Sequence, residues 1–114
     1  MLPLELRRVI LFTGNLPEMT GFYRDRLGLR VIGEEAGWVD FETGACGLAL
    51  HAGRSGVGQR PPKIVFHSAD VAATRAALVN RGVKTLGPVK STGSFDMCDG
   101  KDPDGNRFQI SSRR

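Results

Sequence analysis

The chain opens with a short apolar strand that is followed by an amphipathic helix. Residues Arg8–Phe12 are mostly apolar and are predicted to form the strand. Asn15 stands where a helix N-cap is expected, and Glu18 follows three residues later, as in a capping box. Gly28 can adopt the left-handed conformation that ends a helix. The pattern therefore predicts one helix between Asn15 and Gly28.

The same pattern occurs again in the second half of the chain. Lys63–His67 is another short apolar strand, Asp70 is the next candidate N-cap, and Gly82 is the next glycine placed to end a helix. Equivalent landmarks lie at a nearly constant separation, which is 55 positions from Arg8 to Lys63, 55 from Asn15 to Asp70 and 54 from Gly28 to Gly82. Agreement within one residue indicates an internal repeat.

Short strands separated by Gly, Asp and Asn are predicted after each helix. The predicted strands are Leu29–Glu34, Gly37–Glu42 and Gly47–His51 in the first half, and Lys84–Pro88, Ser94–Asp99 and Arg107–Ser111 in the second. The sequence thus predicts an α+β fold made of two βαβββ modules. These span residues 5–52 and 63–112, and a flexible linker at residues 53–62 joins them within one domain, 1–114.

Each helix can cover only one face of its sheet, so the other half or a second chain is expected to cover the opposite face. A hollow lined by both halves would be a natural ligand site. Because side chains alternate along a strand, one set is predicted to face this hollow. Its members are Arg8, Ile10, Phe12, His51, Lys63, Val65, His67, Arg107 and Gln109.

Composition and charge narrow the function classes. The 114 residues carry a formal net charge of +4, and the 16 Lys and Arg are scattered, so nucleic-acid binding is not favoured. No apolar run reaches the roughly 18–20 residues that span a bilayer. The first residues lack the order of a signal peptide, so a cytoplasmic location without membrane contact is expected. Cys46 and Cys98 are then expected to be reduced thiols.

Three stretches resemble a known family. Phe22–Leu29 (FYRDRLGL), Leu48–His51 (LALH) and the turn Asp102–Asn106 (DPDGN) are similar to motifs of the vicinal oxygen chelate superfamily, which includes glyoxalase I, the bleomycin-resistance proteins and the extradiol dioxygenases. The resemblance runs from about Leu6 to Ile110. It implies the glyoxalase/bleomycin-resistance/dioxygenase-like fold, but it does not separate one activity from another.

The resemblance also implies where a metal would be bound. Metal-using members carry ligands on the first and last strand of each half, and the matching positions here are Arg8, His51, Lys63 and Gln109. Only His51 is a good ligand, because Arg and Lys are protonated and Gln offers one neutral oxygen. We therefore expect no metal and no other cofactor. The alternative is a divalent metal at a shifted site that uses His67, Glu42 or Asp40.

Without a metal, the two cations would form a basic floor for a carboxylate, phosphate or enolate. His51 could donate a hydrogen bond or act as a general base, which makes it the candidate catalytic residue. Each polar residue could instead be a solvated or structural side chain. The full set of predicted ligand-binding residues is Arg8, His51, Lys63, Gln109, His67, Phe12, Trp38, Phe95 and Met97, the last four as apolar walls.

The favoured function is a small-molecule-binding protein for an anionic ligand, acting without a metal. The alternative is a metal-dependent enzyme, either a glyoxalase I-like lyase or an extradiol-type dioxygenase. A third reading is a regulatory module with no pocket ligand. Since pockets of the family are often completed by paired chains, a homodimer is also expected.

Overall fold

The computed structural model describes residues 5–114 and divides the chain into two compact units. One unit ends at Gly56 and the other begins at Val57, so each predicted module lies within one unit. Residues 1–4, which the predicted domain 1–114 includes, lie outside the described residues. None of the helices in the described part is long and apolar enough to cross a membrane.

The first unit contains one four-stranded sheet and one helix. Its elements are β1 (Arg8–Thr13), α1 (Leu16–Gly21), a π-helical turn (Phe22–Arg26), β2 (Arg30–Glu35), β3 (Trp38–Glu42) and β4 (Gly47–Ala52). The strand order is β1-β4-β3-β2, with β1 parallel to β4 and the other neighbours antiparallel. Helix α1 packs on β4, and the buried side chains between helix and sheet include Met19, Tyr23, Phe41 and Leu50.

The helix of the first unit differs from the prediction in one respect. Asn15 caps it as expected, and the Asn15 Nδ2 donates a hydrogen bond to Glu18 Oε2 at 2.6 Å. Beyond Gly21 the α-helix widens into the π-helical turn, in which the Leu27 N–H donates to the Phe22 carbonyl five residues back. The chain then leaves the helix through Gly28, whose φ is 75°. One continuous α-helix up to Gly28 was thus a wrong prediction.

The second unit repeats the arrangement. Its elements are β5 (Ile64–His67), α2 (Val71–Asn80), β6 (Lys90–Ser91), β7 (Asp96–Lys101) and β8 (Arg107–Ser111). The strand order is β5-β8-β7-β6, with β5 parallel to β8. Helix α2 packs on β7 and β8, and Val71, Leu78, Phe108 and Ile110 are buried in this core. The predicted α+β fold of two βαβββ modules is confirmed.

The predicted strand Lys84–Pro88 is wrong, since β6 comes later and has only two residues. Pro88 has no N–H for a strand ladder. The nearby backbone uses side-chain partners as well, because Arg75 Nε donates to the Gly87 carbonyl at 2.7 Å and Thr85 Oγ1 donates to the Lys101 carbonyl at 2.7 Å. This segment therefore runs beside β7 without forming a regular ladder.

Candidate functional site

The open face of the first sheet, opposite α1, carries the predicted residues of this unit. Strand β4 lies between β1 and β3, and its Ala49 pairs with Ile10 on one side and Asp40 on the other. In the same way His51 pairs with Phe12 and Trp38. Two rows of side chains thus cross the sheet. One consists of Ile10, Ala49 and Asp40, and the other, the aromatic row, consists of Phe12, His51 and Trp38.

Arg8 is the first residue of β1, and its guanidinium on this face contacts the carboxylate of Asp40. Its Nη2 is 3.4 Å from Asp40 Oδ2, and its guanidinium carbon is 5.7 Å from the centre of the Trp38 ring. The Arg8 side chain is 35% exposed and that of Asp40 only 15%. The second carboxylate oxygen, Asp40 Oδ1, is buried and has no hydrogen-bond partner among residues 5–114.

His51 lies within the aromatic row. Its ring centre is 5.2 Å from that of Phe12 and 5.9 Å from that of Trp38. The Nδ1 atom is 2.8 Å from the Ala52 carbonyl, so a neutral imidazole carries its proton on Nδ1 and keeps an acceptor lone pair on Nε2. The imidazole can therefore accept a hydrogen bond from a ligand.

The structure does not bring Arg8 and His51 into contact. Arg8 pairs with Gly47, whereas His51 is four residues further along β4. At about 3.3 Å per residue, their Cα atoms are roughly 13 Å apart along the strand direction. Trp38 links the two, because it contacts the guanidinium of Arg8 and the ring of His51.

In the second unit, Lys63 and Gln109 converge on one carboxylate. Lys63 Nζ lies 3.1 Å from Asp99 Oδ1, and Gln109 Nε2 donates to the same oxygen at 3.0 Å. The Gln109 amide also contacts the Met97 sulfur at 3.4 Å. Burial is the largest single effect and raises the pKa of Asp99, but the hydrogen bonds from Gln109 and Lys63 together with the charges of Lys63 and Lys90 outweigh it, so the carboxyl has a pKa below its usual value.

The structure also places the other three predicted residues of this unit. His67 and Met97 flank Ser111 on neighbouring strands, so they belong to the row next to Gln109 and Asp99. Phe95 precedes β7 and is covered by the Arg113 guanidinium, which lies 5.3 Å from its ring centre. Phe95 is therefore already stacked against a cation of its own unit.

The donor set does not fit a metal ion within either unit. Among residues 5–114, no group of three or more His, Cys, Asp or Glu side chains is arranged to hold one. Two of the positions matched to metal ligands carry cations, and these are bound to Asp40 and Asp99. For the shifted site, Asp40 is bound by Arg8 and Glu42 by Arg30.

Asp99 was missed by the sequence analysis, and Asp40 was considered only as a metal ligand. Both lie on the third strand of their module, across the fourth strand from the cation. Alternation along the predicted strands Gly37–Glu42 and Ser94–Asp99 could have placed them on the open face, because each is an even-numbered position of its strand, the fourth for Asp40 and the sixth for Asp99. The repeat thus extends to a cation–carboxylate pair in each unit.

A cavity of about 500 Å³ lies at the end of the first sheet where β1 begins and β3 ends. Its lining includes Arg8 and Asp40 together with apolar side chains such as Leu6 and Ile32. Cys46, which is half-buried, also lines it. The volume is within the range of pockets that hold small molecules.

Several solved structures share this fold. The protein SMU.1112c is 21% identical with a TM-score of 0.80, over 96% of this chain and 98% of its own. A protein of unknown function from Agrobacterium tumefaciens str. C58 is 26% identical with a TM-score of 0.78, over 97% and 95%. A lactoylglutathione lyase from Agrobacterium tumefaciens is 20% identical with a TM-score of 0.76, over 96% and 93%.

The sequence itself gives the family. No curated protein matches the chain. The family model described as the glyoxalase/bleomycin resistance protein/dioxygenase superfamily matches residues 5–110, which is nearly the whole sequence. Together with the two βαβββ modules, this match shows that the chain belongs to the glyoxalase/bleomycin resistance protein/dioxygenase superfamily.

Proposed function

We propose that this protein binds a small molecule with an anionic group and does so without a metal ion. The observation that carries the proposal is the replacement of two expected metal ligands by cations, Arg8 and Lys63. A metal would need about three ligands with available lone pairs, which protonated Arg and Lys side chains do not supply. Each of these cations would also repel a divalent ion bound beside it.

Arg8 is the residue that we assign to the anionic group. Charge-assisted N–H···O bonds are usually about 2.7–2.9 Å long. The Arg8–Asp40 contact of 3.4 Å is longer than that, so the pair is loose. The guanidinium can turn towards a ligand carboxylate or phosphate, to which it can offer two parallel hydrogen bonds.

The aromatic row is assigned to the apolar part of the ligand. Phe12 is 53% exposed, and it lies against His51, which in turn contacts Trp38. A flat or aliphatic group that packs on these rings would remove apolar surface from water, at about 25 cal/mol per Å² buried. His51 Nε2 would accept a hydrogen bond from a ligand donor.

The test uses benzoate and phenyl phosphate, each with a flat ring and an anionic group. Trp38 is the only tryptophan, so its fluorescence reports binding at this face directly. Both probes should change the emission and raise the melting temperature, and EDTA should alter neither effect. The Arg8→Ala variant should lose most of the response. Arg24→Ala, which removes another arginine paired with an aspartate, is the matched control.

Two results would contradict the proposal. One is the absence of any response to both probes, or a response that Arg8→Ala leaves intact. The other is purified protein that holds a stoichiometric amount of Ni, Zn, Mn or Fe. That result would favour the alternative function, a metal-dependent lyase or dioxygenase of the same superfamily.

A further inference from the structure

Each unit has its own cation–carboxylate pair, but the units differ in the residue of the strand that lies between the two members of the pair. In the second unit Gln109 occupies this central position, and its amide donates to Asp99 Oδ1 at 3.0 Å. In the first unit the central residue is Ala49, which pairs with Asp40 and has no side-chain donor. One unit therefore supplies a hydrogen-bond donor that the other lacks.

The missing donor leaves an acceptor unsatisfied. Asp40 Oδ1 is buried and has no partner in the part of the chain that the structure describes, whereas Asp99 Oδ1 receives hydrogen bonds from both Lys63 and Gln109. Buried polar atoms in folded proteins are normally hydrogen-bonded, and a charged oxygen without a partner is particularly unfavourable. The free protein thus contains an acceptor that a bound donor would satisfy.

The unsatisfied carboxylate and its arginine both line the cavity of about 500 Å³. Its charged lining consists of Arg8 and Asp40 together with Glu5, Arg7 and Glu42, while Leu6, Ile32 and Ala45 contribute apolar surface. Within this lining Arg8 and Asp40 lie side by side with opposite charges, so a ligand with one positive and one negative group matches the pair.

We propose that this cavity binds an α-amino acid or a similar small zwitterion. The ligand carboxylate takes the Arg8 guanidinium, which turns away from Asp40, and the ligand ammonium donates to Asp40 Oδ1, which this movement makes accessible from the cavity. The aliphatic side chain packs on Leu6 and Ile32. This inference rests on the proposed function, because Arg8 binds the anionic group in both. It adds an ammonium donor, which benzoate and phenyl phosphate lack, and it places the apolar part of the ligand on the cavity side of Arg8.

The probes are three molecules with related carbon skeletons: L-leucine, 4-methylpentanoate, which lacks the ammonium, and 3-methylbutylamine, which lacks the carboxylate. Binding is followed by NMR titration of the backbone amides. Leucine should bind about tenfold or more tightly than 4-methylpentanoate, since a charge-assisted hydrogen bond is lost in the latter. The amine should bind more weakly than leucine.

A second readout is the reaction of Cys46 with a thiol reagent. Cys46 lines the cavity, whereas Cys98 is only 1% exposed and contributes little to the early reaction. Leucine should slow the labelling of Cys46 more than 4-methylpentanoate does at equal concentration.

Two variants test the role of Asp40. Asp40→Asn should remove the preference for leucine, so that leucine and 4-methylpentanoate bind equally. Asp25→Asn, at an aspartate paired with Arg24 on the surface, is the matched control and should keep the preference. Ala49→Gln should place an amide beside Asp40 Oδ1, as in the second unit, and should also remove the preference. Because Ala49 is fully buried, a glutamine at this position can prevent folding. If the Ala49→Gln variant does not fold, the Asp40→Asn variant alone tests the role of Asp40.

Equal binding of leucine and 4-methylpentanoate to the unaltered protein would overturn this inference and leave the proposed function standing. So would a preference that persists in Asp40→Asn. If none of the three molecules binds, the inference fails as well, and the response to benzoate and phenyl phosphate then decides separately on the proposed function.

Discussion

Gly100 occupies a position where the neighbouring side chains leave no room for a larger residue. It lies in β7 and pairs with Phe108 of β8, a residue with no exposed surface. A Cβ atom at Gly100 would stand 2.6 Å and 3.0 Å from two ring carbons of Phe108, and 3.1 Å from Leu86 Cδ2. The ring of Phe108 therefore fills the space that any larger residue at position 100 would need.

We predict that Gly100→Ala lowers the free energy of unfolding by roughly 1–3 kcal/mol, because the added methyl group forces the packed ring to move. Urea denaturation of the variant measures this. Gly58→Ala is the control, since a Cβ there meets nothing within 4 Å. Equal stability of the two variants would contradict the packing argument.

A pH dependence follows from Asp99. Hydrogen bonds from Gln109 and Lys63 hold its pKa below the usual value, despite the opposing effect of burial. The folded state therefore binds fewer protons than the unfolded state in this range. The stabilisation is present above the unfolded-state pKa of about 3.9 and is lost as the pH falls through the lower folded-state value.

We expect the Asp99→Asn variant to lose less stability on acidification than the unaltered protein, because position 99 no longer titrates. Urea denaturation over an acidic pH series measures the difference, and NMR titration gives the pKa of the Asp99 carboxyl directly. A carboxyl pKa above about 3.9 would contradict the argument.

At the scale of single residues, strand alternation predicted on which face of the sheet some of the candidate site residues lie. It placed Gln109 on the face opposite the buried Phe108 and Ile110, as the structure confirms. It did not identify the partners of Arg8 and Lys63, because alternation gives the face of a side chain but not the register between strands. Register depends on turns and irregularities, such as the bulge between Val31 and Gly33.

At the scale of elements, the start of each helix was easier to predict than its course. Asn15 and Asp70 both act as N-caps, as expected from the sequence. The π-helical turn at Phe22–Arg26 was not predicted, because such turns are rare and the α-helical pattern was assumed to continue to Gly28. It coincides with most of the FYRDRLGL stretch and includes the fully buried Tyr23.

We predict that Asp70→Ala costs about 0.5–2 kcal/mol of stability, because Asp70 Oδ1 accepts a hydrogen bond of 3.0 Å from the Ala73 N–H at the start of α2. Thermal or urea unfolding measures the loss. Asp70→Asn keeps an oxygen at the cap and should be nearly as stable as the unaltered protein. A loss as large as that of Asp70→Ala would mean that charge, rather than the cap, matters here.

For the whole molecule, the internal repeat was the most reliable guide. It predicted two modules, and the structure contains two compact units with the same strand order within each. The pattern did not show that each unit pairs its cation with a carboxylate of its own, Arg8 with Asp40 and Lys63 with Asp99. The homodimer expected from the family resemblance stays a prediction.

The segment between the modules is the expected site of first internal cleavage by trypsin. Residues 53–60 are exposed and contain no helix or strand, and they include Arg54. Arg60 is followed by Pro61, a bond that trypsin cleaves poorly. Limited digestion followed by mass spectrometry should therefore give fragments that meet after Arg54, and Arg54→Gln should slow their appearance. Earlier cleavage inside α2 would contradict this prediction.

The difference between Ala49 and Gln109 has a consequence for how the two halves share their tasks. At this position the second unit supplies its own donor, whereas the first unit leaves Asp40 Oδ1 without one among residues 5–114. A single residue of the central strand thus decides whether the carboxylate beside it is satisfied by its own module or stays open to a donor from outside.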